Sequence, residues 1–323
     1  MSRMHQFLFG LAGLLFVVVV AGTIFFYGIN PHVSSPKKLS ISGDQEMYDR
    51  GEYLVKHVTL CLDCHSEKNN EYFSGPIVKG TEGKGGQEIP GAPGKVYASN
   101  ITRYGLYGWR DEHIKRAITV GVDKDGEPLV PMMPYSEYRY LSNEDANSII
   151  FFLRGLKLIK NYVPDSDIDF PVNLIFRTLP QEADPQKTPN FRDKMARGKY
   201  LARIARCMFC HTQVNKDVPV SAMSFAGGHE FPLPGLGVVR ASNLTPDAKT
   251  GIGLWSEKDF VKRFRTYADS SGKHIPVSEV GFQTVMPWTM LAGMHDRDLK
   301  AIYSYLRTVE PIENSVERFT PEN

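Results

Sequence analysis

The sequence has little excess of either charge and few cysteines. Its 323 residues include 38 Lys and Arg against 36 Asp and Glu, which gives a formal net charge of +2. A surface dedicated to nucleic acid needs a strong basic excess, so that class of function is excluded as the main role. Disorder throughout the chain is also excluded, because hydrophobic residues make up 42% of it. All four Cys lie in two short copies of one pattern, which leaves none for a separate disulfide.

The sequence contains a single apolar run of membrane-spanning length. Residues 7–29 form 23 consecutive residues without a charge, enough to cross a hydrocarbon core of about 30 Å. A cleavable signal peptide usually has an apolar region of only about 7–15 residues. We therefore predict a retained transmembrane anchor over residues 1–29. Cleavage after the Val-Val-Ala stretch that ends at Ala21 is the alternative.

The rest of the chain contains one pattern twice, with its landmarks in the same order in both copies. The matched landmarks are Gly51-Glu52-Tyr53-Leu54 and Gly198-Lys199-Tyr200-Leu201, Cys61-Leu62-Asp63-Cys64-His65 and Cys207-Met208-Phe209-Cys210-His211, Ala98-Ser99-Asn100-Ile101-Thr102 and Ala241-Ser242-Asn243-Leu244-Thr245, Trp109 and Trp255, Met133-Pro134-Tyr135 and Met286-Pro287-Trp288, and Asp145 and Asp298. We therefore predict two homologous units. The predicted segments are a linker at 30–45, the first unit at 46–160, a linker at 161–189, the second unit at 190–313 and a tail at 314–323.

Helical patterns open and close each unit, and they predict an all-α fold. Asp44 can cap a helix that carries an apolar stripe with Gly51 on the same face. Ser142 to Asp145 has the form of a capping box and precedes apolar residues at helical spacing. Because Gly inside a helix costs about 0.5–1 kcal/mol relative to Ala, Gly51 and Gly198 predict close helix–helix contact. The middle of each unit is rich in Gly and Pro and should be mostly loop.

The repeated Cys-x-x-Cys-His motif is the attachment pattern of c-type haem. Its two thiols add to the vinyl groups of the haem, and the adjacent His becomes the proximal iron ligand. The sequence therefore predicts two covalent haem c groups. The predicted attachment residues are Cys61, Cys64, Cys207 and Cys210, and the predicted proximal ligands are His65 and His211.

Other uses of these cysteines fit the spacing less well. A zinc ribbon places its second Cys pair about 15–20 residues after the first, whereas 142 residues separate Cys64 from Cys207. A thioredoxin-like redox pair belongs next to a βαβ pattern, which the sequence lacks. Disulfides within each pair would leave both adjacent histidines unexplained.

The sixth iron position decides what such a haem can do. A Met and a His together are the ligands of cytochromes c, and they raise the reduction potential. Met133 and Met286 are the candidates, because each occupies the same place in its unit and precedes Pro and an aromatic residue. Met132 is adjacent and stays open on local grounds. Ligation by two histidines is a lesser alternative, with candidates His57, His113, His229, His274 and His295.

Asn100, Asn243, Trp109 and Trp255 form a further repeated set with two open interpretations. They can hydrogen-bond haem propionates or neighbouring backbone. They can equally be turn and core residues of the long loop.

Taken together, these motifs resemble class I cytochrome c domains. More narrowly, they resemble the cytochrome c subunits of bacterial membrane-bound dehydrogenases for alcohols, sugars and sugar acids. The resemblance covers about residues 46–313 and lies in Arg-Gly-x-Tyr-Leu, Cys-x-x-Cys-His, Asn-x-Thr with Trp, and Met-Pro-aromatic. It implies covalent haem on the four Cys and axial ligation by His65, Met133, His211 and Met286. That family usually has three haem domains and a cleaved signal, whereas two motifs and an anchor are expected here.

The function expected from these features is single-electron transfer without substrate catalysis. The predicted partners are redox proteins, namely a membrane dehydrogenase, a quinol-oxidising complex or a terminal oxidase, together with the lipid bilayer. A dihaem peroxidase-like enzyme with one open iron is the alternative, and a haem-based sensor a third. Since haem is attached outside the bacterial cytoplasmic membrane in the systems that this chain resembles, we expect a single-pass inner-membrane protein with both units in the periplasm.

Overall fold

The computed structural model describes residues 3–29, 31–190, 192–215 and 218–322. Parts of the predicted anchor, first linker, second unit and tail lie outside the described residues. These are Met1, Ser2, Asn30, Phe191, Lys216, Asp217 and Asn323.

Helices account for most of the regular structure. In chain order they are α1 Arg3–Thr23, α2 Gln45–Tyr53, α3 Cys61–His65, α4 Asp111–Thr119, α5 Tyr135–Tyr138, α6 Asn143–Gly155, α7 Val172–Phe176, α8 Lys194–Ile204, α9 Cys207–Cys210, α10 Glu257–Arg265, α11 Ser270–Lys273, α12 Val277–Val280, α13 Trp288–Leu291 and α14 Asp296–Leu306. Turns of π-helix extend α1 over Ile24–Ile29 and α2 over Leu54–Val58, and a 3-10 turn spans Ser221–Met223.

Short antiparallel strands accompany these helices, so the expected all-α class is not confirmed. The strands are β1 Gly94–Lys95, β2 Asp167–Ile168, β3 Val214–Asn215, β4 Val218–Pro219, β5 Glu230–Leu233, β6 Gly237–Arg240 and β7 Phe319–Pro321. They form the pairs β1–β2 and β3–β4 and the sheet β5–β6–β7. In that sheet Val239 lies opposite both Phe231 and Phe319. The segment predicted as a tail thus contributes the edge strand β7.

Each unit is built on two helices that approach closely at a glycine. A Cβ atom added to Gly51 of α2 would lie 2.0 Å from the carbonyl oxygen of Ser148 in α6. A Cβ atom added to Gly198 of α8 would lie 1.9 Å from the carbonyl oxygen of Ala301 in α14. Only glycine fits at either contact, so the predicted close helix contacts are confirmed. The apolar faces of the helices form the core, with buried side chains that include Leu54, Val55, Ile149, Ile150, Leu201, Ile204, Leu299 and Ile302.

The N-terminal cap of α2 follows the sequence prediction, whereas that of α6 follows it only in part. Asp44 accepts a 3.0 Å hydrogen bond from the amide of Met47, as predicted. Ser142 accepts one of 3.0 Å from the amide of Asp145. The predicted capping box does not close, because the Asp145 carboxylate pairs instead with Arg50 through two bonds of 2.8 Å. The Ser142 amide donates to the hydroxyl of Tyr200, from the second unit.

The two units exchange a matched pair of buried tyrosine–aspartate hydrogen bonds. Tyr53 of the first unit donates to Asp298, and Tyr200 of the second unit donates to Asp145, each over 2.7 Å. Asp298 also accepts 2.6 and 2.9 Å bonds from Arg197. Each carboxylate is therefore held by an arginine of its own unit and by a tyrosine of the other. This arrangement fixes the two units against each other.

The segment between the units, residues 161–189, runs along the first unit. Strand β2 pairs with β1, and the amide of Asp184 donates to the carbonyl oxygen of Arg139 over 2.9 Å. Within and beside α7, Leu174 and Phe176 are half-buried, whereas Phe170 and Ile175 are exposed. The apolar middle of this linker thus packs only in part.

Helix α1 does not contribute to the hydrophobic core. Among the described residues, Arg3–Gly28 is the one helix whose length and composition suit a membrane span. None of the residues of α1 is buried.

Candidate haem centres

Both Cys-x-x-Cys-His motifs begin at the same unusual backbone turn. Leu60 precedes the first motif with φ of 57°, and Arg206 precedes the second with φ of 61°. This left-handed conformation costs a residue with a side chain about 1–2 kcal/mol. At both positions it turns the chain sharply from the preceding helix into α3 or α9, which carry the cysteines. The recurrence of this strain at equivalent positions indicates a geometry that the site requires.

The two motif histidines are oriented by equivalent backbone carbonyl groups. Nδ1 of His65 lies 2.6 Å from the carbonyl oxygen of Ser99, and Nδ1 of His211 lies 2.7 Å from that of Ser242. Because a carbonyl oxygen can only accept, Nδ1 carries the proton in each ring and Nε2 keeps its lone pair. A metal-bound histidine is commonly fixed in this way. The geometry therefore fits axial ligation of iron through Nε2.

The local environment also keeps these imidazoles neutral. Burial lowers the pKa of His65, against the opposing effect of its hydrogen bond to the Ser99 carbonyl. Burial lowers the pKa of His211 as well, and the Ser242 carbonyl opposes it in the same way. A neutral ring is the form that binds a metal.

Glycines bring the carbonyl groups of Ser99 and Ser242 within reach of the histidines. The amide of Gly85 donates to the His65 carbonyl oxygen over 2.9 Å, and that of Gly227 donates to the His211 carbonyl oxygen over 2.8 Å. Gly85 has φ of 67°, and an added Cβ would lie 2.4 Å from the carbonyl carbon of Ser99. Gly227, with φ of 77°, allows an equally close approach. Both loops therefore depend on glycine at this position.

All of the predicted site residues line a single cavity of about 720 Å³. This volume lies in the range of about 300–1,000 Å³ that is usual for ligand pockets. The predicted haem-attachment residues and iron ligands that line it are Cys61, Cys64, His65, Met133, Cys207, Cys210, His211 and Met286. The other lining side chains are largely apolar, as a porphyrin face requires, and include Ile89, Leu106, Ile118, Leu129, Ile252, Phe264 and Leu291.

Met133 and Met286 occupy equivalent turns at the cavity wall. The amide of Tyr135 donates to the Met133 carbonyl oxygen, and the amide of Trp288 donates to that of Met286, each over 2.8 Å. Met132 lines the cavity too, so the choice between Met132 and Met133 still depends on the repeat. In the described chain, the histidines on the cavity wall are His65 and His211 alone.

The histidines considered as alternative ligands have other contacts. Nδ1 of His57 lies 2.8 Å from the Met290 carbonyl oxygen, and the ring of His295 stacks on Tyr53 with centroids 4.1 Å apart. His229 stacks on Phe231. These three histidines therefore have structural roles in hydrogen bonding and ring stacking. Their contacts do not favour ligation of iron by two histidines.

The four cysteines line the cavity wall and none of them forms a disulfide. Burial raises the pKa of Cys64 to about 11 and that of Cys207 to about 12, so both thiols are protonated near neutral pH. Within the described ranges, no three His, Cys, Asp or Glu side chains converge in a way that could hold a metal ion. The cysteines therefore fit thioether attachment better than a shared zinc site.

The two motifs lie close enough to share their electrostatic surroundings. Burial has the largest influence on Cys210 and raises its pKa, while Arg206 of its own unit lowers it and Asp63 of the first motif raises it. Arg206 acts on Cys64 of the first motif in the same direction. Asp63 and Arg206 thus each influence a cysteine of the other motif.

The repeated asparagines are turn residues. Oδ1 of Asn100 accepts bonds from the amide and hydroxyl of Thr102, over 2.9 and 2.7 Å. Nδ2 of Asn100 donates to the carbonyl oxygen of Ile159 over 2.9 Å. Asn243 makes the equivalent bonds to Thr245 and to the carbonyl oxygen of Ile312. Trp109 and Trp255 line the cavity, so the interpretation as propionate contacts stays open for the tryptophans.

Sequence reasoning missed two kinds of residue that build the site. The orienting serines lie inside the repeated Ala-Ser-Asn landmark, but a backbone carbonyl leaves no residue-type signal. The second kind comprises the residues of the exchanged bonds between units, which lie in or directly beside the repeat landmarks. The available signal was the recurrence of an arginine and an aspartate of opposite charge in both copies. The residues are Arg50, Tyr53, Asp145, Arg197, Tyr200 and Asp298.

Comparison with known proteins gives relatives that include several cytochrome subunits. The chain is 29% identical to the gluconate 2-dehydrogenase cytochrome c subunit of Pantoea cypripedii, over 85% of this chain and 62% of the relative. It is 28% identical to the cytochrome c subunit of the quinone alcohol dehydrogenase of Gluconobacter oxydans, over 83% and 56%. It is 24% identical to a diheme cytochrome c-type protein of Cereibacter sphaeroides, over 93% and 97%. No family model matches the chain.

These relatives confirm the resemblance to dehydrogenase cytochrome c subunits. They agree with an electron-transfer protein carrying covalent haem c rather than an enzyme that converts a substrate. The chain spans about 60% of the length of the dehydrogenase subunits that it matches, and nearly the whole length of the diheme relative.

Proposed function

We propose that this protein is a membrane-anchored dihaem c-type cytochrome that passes single electrons between a membrane-associated donor and a downstream acceptor. The observation that carries the proposal is the matched geometry of the two centres. In each, two cysteines, a histidine held by a serine carbonyl and a methionine after the long loop line the same cavity. Two equivalent sites, each with a histidine and a methionine that would bind the haem iron, suit reversible one-electron exchange.

The residues of the chain have distinct roles in this proposal. Cys61, Cys64, Cys207 and Cys210 hold two haem c groups, each of which supplies a one-electron iron couple when bound. His65 and His211 would bind the iron through Nε2, while each Nδ1–H donates its hydrogen bond to the Ser99 or Ser242 carbonyl oxygen. Met133 and Met286 would supply the second protein ligand of each iron, and the largely apolar cavity walls would contact the porphyrin.

The close approach of the two motifs supports electron exchange within the chain. Both motifs line one cavity. An electron that enters at one centre can leave through the other. The proposed partners are a membrane dehydrogenase, a quinol-oxidising complex or a terminal oxidase, and the named relatives support the first of these.

The anchoring of the protein rests on α1. The helix has the length and apolar composition of a span and contributes nothing to the core. We propose that it holds both units on the periplasmic side of the bacterial inner membrane. Tethering raises the effective concentration of a carrier near membrane-bound partners.

The decisive experiment measures haem stoichiometry and spin state together on the full-length protein. We expect two haems per chain that survive acid–acetone extraction, and an intact mass that exceeds the polypeptide by two haem groups. Double replacement of Cys61 and Cys64 by Ala, or of Cys207 and Cys210, should each leave one haem. A mass equal to the bare polypeptide would overturn the proposal.

The spin state separates the carrier from the peroxidase-like alternative. Electron paramagnetic resonance of the oxidised protein should show two low-spin irons and no fast turnover of hydrogen peroxide. One high-spin iron with rapid peroxide turnover would establish the enzyme instead.

A further inference from the structure

A short apolar segment of the inter-unit linker, residues 170–180, is fixed to the end of the candidate span. Arg177 is its one charged residue, and only 10% of that side chain is exposed. Nε of Arg177 donates to the carbonyl oxygen of Phe26 over 2.6 Å. The guanidinium carbon lies 4.8 Å from the centroid of the Tyr27 ring. The segment therefore sits at the level where α1 and its π-helical turn leave the predicted bilayer.

The same arginine joins this level to the first haem centre. Arg177 also forms an ion pair with Glu127. Glu127 belongs to the loop after α4 that leads through Leu129 and Val130 to Met133, and those three residues line the cavity. One buried guanidinium thus connects the span, the linker segment and the methionine loop of the first unit.

The large side chains that residues 170–180 expose are apolar, and Thr178 is the exposed polar residue among them. Phe170 is 79% exposed, Ile175 is 51% exposed and Leu179 is 39% exposed. They continue the exposed apolar surface of the span, which ends with Phe25 and Tyr27. Such contiguous apolar surface is uncommon in water and marks a site of interaction.

We propose that residues 170–180 lie in the membrane interface as a second bilayer contact and hold the first unit against the membrane surface. This inference rests on the membrane anchoring in the proposed function. Lipid is the occupant that fits, because the surface is continuous with the span and exposes no charged side chain. Aromatic and aliphatic residues at this depth gain free energy by burial among headgroups and upper acyl chains.

This contact distinguishes the two centres by position. The loop that carries Met133 is tied through Glu127 and Arg177 to the level at which the span ends. The second unit is connected through the first.

Site-specific photocrosslinking tests this inference on the full-length haem-loaded chain. A benzophenone amino acid replaces Phe170, Ile175, Val18 or Leu254 in separate variants. Each is reconstituted in vesicles of phosphatidylcholine and phosphatidylglycerol at 3:1, irradiated and analysed by peptide mass. Val18 lies within α1 and reports insertion of the span. Leu254 is 82% exposed in the second unit and is the matched control for an exposed apolar position.

The expected result is lipid adducts at positions 170, 175 and 18, with at least tenfold less at position 254. Adducts at 18 without adducts at 170 and 175 would overturn this inference while leaving the anchor intact. Equal adducts at 170 and 254 would also overturn it, since they would show non-specific vesicle contact. An absence of adducts at 18 would refute the anchor and this inference with it.

Discussion

The hydroxyl of Tyr53 in the first unit donates a 2.7 Å hydrogen bond to the carboxylate of Asp298 in the second, 245 residues further along the chain. The same hydroxyl accepts a hydrogen bond of 3.3 Å from the amide of His295, the N-cap residue of α14. In the same way, the hydroxyl of Tyr200 in the second unit donates to the carboxylate of Asp145 and accepts from the amide of Ser142, both in the first unit. Each tyrosine thus satisfies both a buried carboxylate and a free helix-start amide of the other unit.

Replacing Tyr53 by Phe, or Tyr200 by Phe, should lower the free energy of unfolding by about 1.5–3 kcal/mol, because a buried carboxylate loses a charge-assisted hydrogen bond. Chemical denaturation followed by far-ultraviolet circular dichroism measures the change. Tyr107→Phe is the control, because Tyr107 is largely exposed, and it should stay within about 0.5 kcal/mol of the parent. Equal stability of all three variants would show that these bonds do not hold the units together.

Replacing Met133 by Ala should remove about half of the thioether-to-iron absorbance and lower the potential of the first haem, because a thioether ligand favours ferrous iron. Met286→Ala should act in the same way on the second haem. Visible spectroscopy combined with a redox titration measures both effects. Met132→Ala is the neighbouring control and should leave spectrum and potential unchanged; the reverse pattern would make Met132 the ligand of the first centre.

Replacing Gly85 by Ala should displace the Ser99 carbonyl that orients His65, in addition to destabilising the fold through an unfavourable backbone conformation. A left-handed φ costs Ala about 1–2 kcal/mol, and the added Cβ would also meet the backbone that carries the Ser99 carbonyl. Gly80→Ala is a matched control, because Gly80 has φ of 87° and no atom within 4 Å of an added Cβ. We expect a shifted potential for the first haem in Gly85→Ala alone. Identical potentials in the two variants would mean that this carbonyl does not orient His65.

The buried carboxylate of Asp298 should make stability depend on acid pH. Burial raises the pKa of Asp298, but the hydrogen bonds from Arg197 and Tyr53 outweigh it, and the net shift is downward. A lowered pKa in the folded protein means that the stabilisation is present above the unfolded value of about 3.9 and is lost as the pH falls through the folded value. Asp298→Asn should therefore show a flatter loss of stability below about pH 4.

Acid unfolding followed by circular dichroism measures this slope. Asp165→Asn, at an exposed position, is the control and should follow the parent curve. A parent-like slope in Asp298→Asn would assign the acid sensitivity to other groups.

Most of the predictions made from the sequence depend on the internal repeat. Aligned landmarks select Met133 and Met286 and anticipate the close contacts at Gly51 and Gly198, because both depend on residue type at fixed positions. The short strands escaped prediction, since segments of two to four residues have no periodicity to detect. The capping box failed because Asp145 is paired with Arg50 and Tyr200 rather than with its own helix. A contact supplied from another part of the chain is not visible in a local pattern.

The exchanged tyrosine bonds also determine how the chain comes apart. Opening either unit removes a hydroxyl from a buried carboxylate and from a helix-start amide in the other, so the free energies of the two units are not independent. Denaturation should therefore occur as one cooperative transition, although the sequence reads as two modules in tandem.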